Sequence, residues 1–210
     1  MADRPKNLSA LEALERLCEG NQRFIKNISQ LDTSLHQRGS LLAGQNPFAI
    51  ILGCSDSRVP AELVFDQGFG SLFVIRVAGN IVAPSQVGSV EFAATQFNTR
   101  LVVVMGHTQC GAVRATLDAL RNNSQSPSRG QRSIVERIAP AVAQLMETPL
   151  RDQPDELVKH AVRANIRAAV SHLRHGSEIL EQQVAEEGLL IVGAEYSLET
   201  GLVEFFDVPT

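Results

Sequence analysis

Two stretches of the sequence share one pattern, and that pattern limits the folds the chain can adopt. Residues 48–59 read FAIILGCSDSRV and residues 101–112 read LVVVMGHTQCGA. Each is an apolar run followed by a glycine and then by side chains that can bind a metal. A short, continuous apolar run is typical of a strand buried in a parallel sheet. Because the carboxyl ends of neighbouring parallel strands meet at one edge, we predict that Cys54, His107 and Cys110 lie together.

The order of the other elements favours an α/β fold. Apolar runs alternate with helical patterns, which implies parallel strands joined by crossover helices. The segment YSLETGLVEFF, with Gly201 at its turn, predicts a hairpin that ends in an antiparallel edge strand. We therefore expect a mainly parallel central sheet flanked by helices, with an antiparallel C-terminal edge strand. The predicted strands span residues 47–52, 72–77, 101–106, 189–193 and 202–206.

Helical patterns fill the rest of the chain. Ser9 and Glu12 form the sequence of a capping box, which predicts a helix over residues 8–27 and an N-terminal helical arm over 1–30. Pro60 starts a predicted helix of two turns that Gly68 ends. Further helices are predicted over 87–97, 111–120, 131–146 and 155–187, the last broken near Gly176. Nothing demands a second domain, so we expect one domain over residues 1–210.

Composition excludes several classes of protein. The net charge is −4 and basic residues are spread along the chain, so nucleic acid is not expected as a partner. No apolar run approaches the length of a membrane span and no apolar signal segment is present, so we expect a cytoplasmic protein that does not bind membranes. Three cysteines in such a chain indicate a metal or catalysis rather than a disulfide framework.

The three candidate ligands are typical of a zinc site with an open position. Zinc favours thiolate and imidazole ligands, and the HxxC spacing lets His107 and Cys110 converge just after a strand. Cys54 supplies the third ligand from another strand. A structural zinc site usually has four ligands, whereas a catalytic site keeps one position open. Because the sequence has no CxxC pair, the open site is favoured.

Other interpretations of these residues remain. Cys18 could complete a closed site, but it lies on the apolar side of its helix with Leu14 and Leu17, so a core thiol is favoured. Cys54 could be a nucleophile beside Arg58, although only three residues separate them, which makes a short anion-binding loop. A buried His107 without a metal is the least favoured interpretation.

Asp56 and Arg58 are predicted to assist the metal. With Cys54 they occupy alternate positions in CSDSR, so in an extended turn they can point the same way. Two thiolates and a neutral imidazole cancel the charge of Zn²⁺, so a bound water is acidified less than at an all-histidine site. We expect Asp56 to orient the water and Arg58 to hold Asp56 as a carboxylate. The simpler alternative is an ordinary surface ion pair.

The sequence resembles the β-class carbonic anhydrases. The resemblance rests on five segments and covers most of the chain. It implies zinc, one ion per subunit, bound by Cys54, His107 and Cys110, with the dyad of Asp56 and Arg58 beside it. It also implies assembly as a homodimer or homotetramer with a swapped N-terminal helix. The five segments are CSDSRVPAE (54–62), FVIRVAGN (73–80), GSVEFA (88–93), GHTQCGA (106–112) and GAEYSLETGLVEF (193–205).

The same resemblance implies a subtype and a substrate pocket. The plant-type, unregulated members have a glutamine nine residues before the first cysteine, and Gln45 stands there. Bicarbonate-regulated members have a tryptophan three residues before that cysteine, and Ile51 stands there. Phe73 and Phe92 would form an apolar wall, although both could simply be core residues. Since plant-type members carry tyrosine at position 92, a hydrogen-bonding role there is lost. His36, His160, His172 and His175 match no ligand motif and are expected to be exposed.

The function that follows is zinc-dependent, reversible hydration of carbon dioxide to bicarbonate and a proton. An apolar wall suits an uncharged linear substrate, and an open metal position activates water. No histidine is placed by a motif as a proton shuttle. Two alternatives stay open: a zinc hydrolase of carbon disulfide or carbonyl sulfide, and a catalytically silent zinc-binding assembly module. The dyad of Asp56 and Arg58 counts against the silent module, which has no need of it.

Overall fold

Five strands form one sheet in the computed structural model, which describes residues 7–31, 34, 39–124 and 128–208. Their order is β2-β1-β3-β4-β5. Pairing is parallel from β2 to β4 and antiparallel between β4 and β5. The predicted fold class is confirmed. The strands are β1 (Ala49–Gly53), β2 (Leu72–Arg76), β3 (Leu101–His107), β4 (Leu190–Tyr196) and β5 (Val203–Phe206).

Strands β3 and β4 are longer than predicted at their carboxyl ends. They stay paired up to the level where His107 lies opposite Tyr196, beyond the point where the apolar run stops. A cross-strand hydrogen bond continues one residue further, where the Thr108 N–H donates to the Tyr196 carbonyl at 3.0 Å. This continued pairing fixes the backbone of the HTQC segment.

Helices cover both faces of the sheet. The predicted helix over 155–187 breaks at Gly176 as expected, whereas that over 131–146 turns into a 3₁₀ segment at Ala143. The helices are α1 (Ala10–Ile25), α2 (Ala61–Val64), α3 (Pro84–Gln96), α4 (Gly111–Asn122), α5 (Arg129–Val142), α6 (Pro154–His175) and α7 (Glu178–Glu186). Short 3₁₀ segments span Ala78–Asn80, Ala143–Glu147 and Pro149–Asp152.

The sheet separates two hydrophobic cores. Side chains alternate between the faces of a strand, so in β3 Val102 and Val104 face one core while Val103 and Met105 face the other. Helices α3 to α7 cover the first face, and α1 and α2 cover the second. Because all of β1 and β3 is buried, the strand ends that carry the candidate ligands have a rigid support.

Helix α1 packs on its own chain. The capping box between Ser9 and Glu12 is confirmed. Gly20 lies so close to α2 that an added Cβ would be 1.9 Å from the Phe65 carbonyl oxygen. The buried Asn21 amide donates to Val64 O at 3.1 Å and to Gly201 O at 2.9 Å. These contacts join the arm to the sheet within one chain.

The interpretation of Cys18 as a core thiol is wrong. The buried stripe of α1 runs through Ala13, Leu17, Gly20 and Asn21. Successive helical residues are about 100° apart around the axis, so Cys18 points beside this stripe and its side chain is exposed. It does not contribute to the group of metal-capable side chains.

The predicted two-turn helix after Pro60 is only one turn, Ala61–Val64. It ends because Asp66 adopts a left-handed backbone with φ of 48°. The buried Asp66 carboxylate accepts hydrogen bonds from Arg23 Nε at 2.6 Å, from Ser29 Oγ at 2.8 Å and from the Gln30 N–H at 3.1 Å. Asp66 therefore ties the segment after α1 to the end of α2.

None of the helices in the described part of the chain is long and apolar enough to cross a membrane.

Candidate metal centre

The structure brings the three candidate ligands together at the carboxyl edge of the sheet. Cys54 directly follows β1, His107 ends β3, and Cys110 is the residue before α4. Their ligand atoms all lie within 4.8 Å of one another, and all three side chains are buried. This is the meeting point that the two related stretches predict.

The donor set fits a tetrahedral zinc ion. Two sulfurs at a Zn–S distance of about 2.3 Å from one ion lie about 3.8 Å apart, and the Cys54 and Cys110 sulfurs are 4.0 Å apart. The His107 Nδ1–H donates to the Thr108 carbonyl at 2.9 Å, which leaves Nε2 as the free lone pair. Nε2 is buried and has no hydrogen-bond partner among the described residues. A buried nitrogen of this kind is costly unless a metal or donor satisfies it.

Backbone contacts favour a thiolate at Cys54. The Gly79 N–H donates to the Cys54 sulfur at 3.3 Å, and Asn165 Nδ2 donates to the Gly79 carbonyl at 2.8 Å. Gly79 has a φ of 70°, and an added Cβ would lie 2.8 Å from Ile138 Cδ1. The hydrogen bond shared with the Cys110 sulfur, with further ones from His107 and the Gly79 N–H, lowers the pKa of the Cys54 thiol. The hydrogen bond with Cys54 and burial raise the pKa of the Cys110 thiol in the same pair.

Asp56 and Arg58 form a bidentate pair beside this group. Arg58 donates from Nε to Asp56 Oδ1 at 2.9 Å and from Nη2 to Oδ2 at 2.8 Å. The Arg58 N–H adds a third bond to Oδ1 at 3.0 Å. These hydrogen bonds hold the pKa of Asp56 well below its usual range. Asp56 Oδ2 lies 3.8 Å from His107 Nε2, so the carboxylate faces the metal position.

Asp56 stands beside the three candidate ligands without joining them. It does not belong to the group whose ligand atoms all lie within 4.8 Å of one another, and both of its oxygens accept hydrogen bonds from Arg58. Since the guanidinium of Arg58 is committed to Asp56, the alternative of an anion-binding loop around Cys54 loses its support.

Sequence analysis missed Arg76. This residue ends β2 opposite Gly53, the last residue of β1. Its guanidinium donates to the Cys54 carbonyl at 3.0 Å and to the Asp56 carbonyl at 2.5 Å. Arg76 thus fixes the backbone of the CSD turn, and the available signal was a basic residue ending an apolar strand next to β1.

The structure does not bring Gln45, Phe73 and Phe92 to the ligands within one chain. Gln45 precedes the amino end of β1 and is exposed, whereas Cys54 follows the carboxyl end, about 16 Å of strand away. Phe73 lies opposite Ile50, near the start of β1. Its ring is 6.2 Å from that of Phe92, which is 51 % exposed.

Three of the remaining histidines lie on one helix. His160, His172 and His175 are exposed on α6, as predicted. The prediction for His36 falls outside the described residues.

Comparison with known proteins gives one consistent result. The family model described as carbonic anhydrase matches residues 49–203. Carbonic anhydrase 2 of Mycobacterium tuberculosis is 39 % identical over 93 % of this chain and 92 % of its own length. The solved structure of the β-carbonic anhydrase CcaA has a TM-score of 0.76 at 26 % identity and covers 92 % of this chain and 95 % of that chain. A tetrameric β-carbonic anhydrase of Sordaria macrospora has a TM-score of 0.74 at 20 % identity over 95 % of this chain and 99 % of that chain, a likeness of fold.

Proposed function

Because this chain belongs to the β-class carbonic anhydrases, and is an enzyme of that family, we propose that it hydrates carbon dioxide reversibly to bicarbonate and a proton. One zinc ion per subunit would be bound by Cys54, His107 and Cys110. The observation that carries this proposal is the buried Nε2 of His107, which faces two cysteine sulfurs and the Asp56 carboxylate without a hydrogen-bond partner among the described residues.

When bound, zinc supplies a Lewis acid that makes water a nucleophile near neutral pH. Asp56 Oδ2 accepts the hydrogen bond of the attacking water and so aims an oxygen lone pair at the carbon of the substrate. Arg58 keeps this carboxylate ionised and away from the open position. Arg76 holds the backbone on which Cys54 and Asp56 stand. The proton leaves to buffer on the exposed side of the dyad, where the Arg58 side chain is 55 % exposed.

We propose that the substrate pocket lies at a contact between two copies of the chain. Gln45, Phe73 and Phe92 lie away from the ligands of their own chain, and Phe92 exposes half of its surface. In a symmetric homodimer, or a homotetramer built from two such dimers, these residues of one copy would approach the metal of the other. The tetrameric relative of Sordaria macrospora supports an oligomer. The apolar wall would bind carbon dioxide and Gln45 would donate a hydrogen bond to it.

The presence of Gln45 and the absence of tryptophan at position 51 favour the plant-type, unregulated subtype. Ile51 is fully buried within β1, so an aliphatic core side chain stands where the regulated subtype has tryptophan. On the sequence prediction alone, we assign the reaction to the cytoplasm.

The decisive experiment measures zinc content and carbon dioxide hydration on the same preparation. We expect about one zinc per chain and a stopped-flow hydration rate that increases from pH 6 to pH 9. Parallel assays with carbon disulfide and carbonyl sulfide distinguish the hydrolase alternative. Fully metallated protein without hydration activity at every pH would refute the proposal and favour the silent module.

A further inference from the structure

Helix α6 reaches the Cys54 sulfur through a chain of two hydrogen bonds. Asn165, in the middle of α6, donates from Nδ2 to the Gly79 carbonyl at 2.8 Å. The N–H of the same glycine donates to the Cys54 sulfur at 3.3 Å. Asn165 is 3 % exposed, so water has little access to its amide. A single glycine residue therefore links the position of a helix side chain to a candidate metal ligand.

Gly79 needs a contact from outside its own turn to keep its N–H aimed at the sulfur. Its φ of 70° and ψ of 20° lie in the left-handed region, and Asn80 follows with a φ of 44°. Glycine loses more conformational freedom on folding than any other residue. A larger residue has no room here, because an added Cβ would lie 2.8 Å from Ile138 Cδ1 and 3.0 Å from Ala112 Cβ. The hydrogen bond to its carbonyl restrains this backbone instead.

The packing of α6 holds the Asn165 amide in place. Ile166, the next residue, is fully buried. It lies so close to Gly106 that a Cβ added to that glycine would be 2.6 Å from Ile166 Cδ1. Gly106 directly precedes His107 at the end of β3. Helix α6 therefore sits at the level of the candidate ligands, which keeps Asn165 within hydrogen-bond distance of the glycine carbonyl.

An N–H group that donates to a metal-bound thiolate supports the metal site in two ways. It fixes the direction of the sulfur, and it offsets part of the negative charge through a charge-assisted hydrogen bond. Removing a partner that orients a metal ligand lowers metal affinity by about 10- to 100-fold. A side chain that controls such an N–H group should therefore control how firmly the metal is held.

We propose that Asn165 is a positioning residue of the metal centre. By holding the Gly79 carbonyl, it aims the Gly79 N–H at the Cys54 sulfur and slows the loss of the metal. This role rests on the proposed binding of zinc by Cys54, His107 and Cys110. It concerns how long the ion stays in the site rather than which residues bind it.

Release of zinc from the full-length, zinc-loaded protein to an excess of a chromogenic chelator tests this role. Asn165→Leu keeps nearly the size of the side chain but removes the donor, so zinc release should become about tenfold faster or more. Asn21→Leu is the matched control, because Asn21 is also a buried amide that donates to backbone carbonyls, those of Val64 and Gly201. It should lose stability in urea and release zinc at the unmodified rate.

The absorption spectrum of the cobalt-substituted protein separates this role from a general loosening of the fold. The energy of sulfur-to-cobalt charge transfer depends on the hydrogen bonds that the sulfur accepts. Losing the bond from Gly79 should move this band to longer wavelength in Asn165→Leu and leave it in place in Asn21→Leu. If Asn165→Leu does not fold, Asn165→Ala replaces it. Asn165 borders a surface cavity of about 800 Å³, so its truncation leaves no sealed void.

Faster zinc release together with a shifted band in a folded Asn165 variant supports the role. Any other combination overturns it and leaves the proposed function intact, whether the band does not move, zinc release is unchanged, or Asn21→Leu shows equal changes. An unmodified protein that takes up neither zinc nor cobalt would refute the proposed function itself, and the role of Asn165 with it.

Discussion

Arg58 acts on the metal centre only through Asp56. Three of its nitrogens, the backbone N–H, Nε and Nη2, donate to the two oxygens of that carboxylate. The carboxylate in turn lies 3.8 Å from the nitrogen that would bind the metal. A change at Arg58 should therefore alter chemistry at the metal without removing a ligand.

We predict that Arg58→Ala keeps about one zinc per chain but lowers carbon dioxide hydration by about 10- to 100-fold, the usual effect of losing a group that orients a metal site. The released Asp56 carboxylate would occupy the open position. Zinc analysis and stopped-flow assays at pH 7 measure both effects. Arg129→Ala, at an exposed position on α5, is the control and should retain full activity. Full activity in Arg58→Ala would contradict the role given to the dyad.

The three cysteines offer a matched test of the ligand set. Cys110→Ser should lower zinc to below about 0.1 per chain, because a neutral hydroxyl is a poor zinc ligand compared with a thiolate. Cys18→Ser should keep zinc, because Cys18 is exposed on α1 and lies outside the group. Mass spectrometric metal analysis of both variants decides the matter. Equal zinc loss in the two variants would show that the ligand set is wrong.

At this scale the grouping of the three candidate ligands could be predicted from sequence, and the environment of Glu195 could not. Cys54, His107 and Cys110 each come after an apolar run. Because the carboxyl ends of neighbouring parallel strands lie at the same edge of a sheet, these residues are expected to meet there. The environment of Glu195 depends instead on the register between β4 and β5 and on the reach of Arg163 from α6. Neither leaves a pattern in the sequence.

Among the elements, the segment from α1 to Gln30 is tied to the end of α2 by one buried carboxylate, that of Asp66. Burial raises the pKa of Asp66, but hydrogen bonds from Arg23, Ser29 and the Gln30 backbone outweigh it and lower the pKa overall. A group whose pKa is lower in the folded state stabilises the protein above its unfolded pKa of about 3.9. That contribution is lost as the pH falls from about 4 toward the folded pKa.

Asp66→Asn should consequently lower the free energy of unfolding by about 1 to 3 kcal/mol at pH 7 and lose less stability than the unmodified protein between pH 5 and pH 3. Urea denaturation at the three pH values measures the effect. Asp118→Asn, at an exposed position of α4, should match the unmodified protein. An unchanged acid dependence in Asp66→Asn would mean that this carboxylate does not couple the two helices.

Helix boundaries were predicted well where a cap or a breaker is local. The capping box of α1 and the break at Gly176 are of this kind. The length of α2 was not predicted, because Asp66 leaves the helix to bond three groups of another segment. The exposure of Cys18 was also not predicted. Gly20 approaches Phe65 closely, so the side of α1 that carries Gly20 is buried and the side that carries Cys18 is not.

For the whole molecule, the exposed ring of Phe92 is the best marker of a subunit contact. Phe73, Phe92 and Phe97 pack against one another with ring centroids 5.8 to 6.2 Å apart. Of the three, Phe92 is exposed while Phe73 and Phe97 are partly buried, and an exposed aromatic ring beside an apolar cluster is typical of interfaces. Family resemblance pointed to Phe73 and Phe92 but not to Phe97, because no pattern within one chain says which surface a second copy covers.

We predict that the protein sediments as a dimer or tetramer. Phe92→Glu should shift it toward monomer and raise the dissociation constant of the oligomer by at least about tenfold. The reason is that the interface would bury an unpaired charge. Analytical ultracentrifugation over a concentration series measures the shift. Ala115→Glu is the control, because Ala115 is exposed on α4 and lies outside the aromatic cluster. If the unmodified protein is a monomer, the proposal that two copies share a substrate pocket is contradicted.

The support of the metal loop also bears on the order of events during synthesis. All three ligands exist once Cys110 leaves the ribosome. The residues that hold the supporting backbone, Asn165 on Gly79 and Tyr196 on Thr108, are made much later. The nascent chain can therefore present its thiols to any soft metal ion before the pocket that selects among ions has formed. We therefore expect the proposed metal site to reach its final geometry only after α6 and β4 have been made and have packed against the loop.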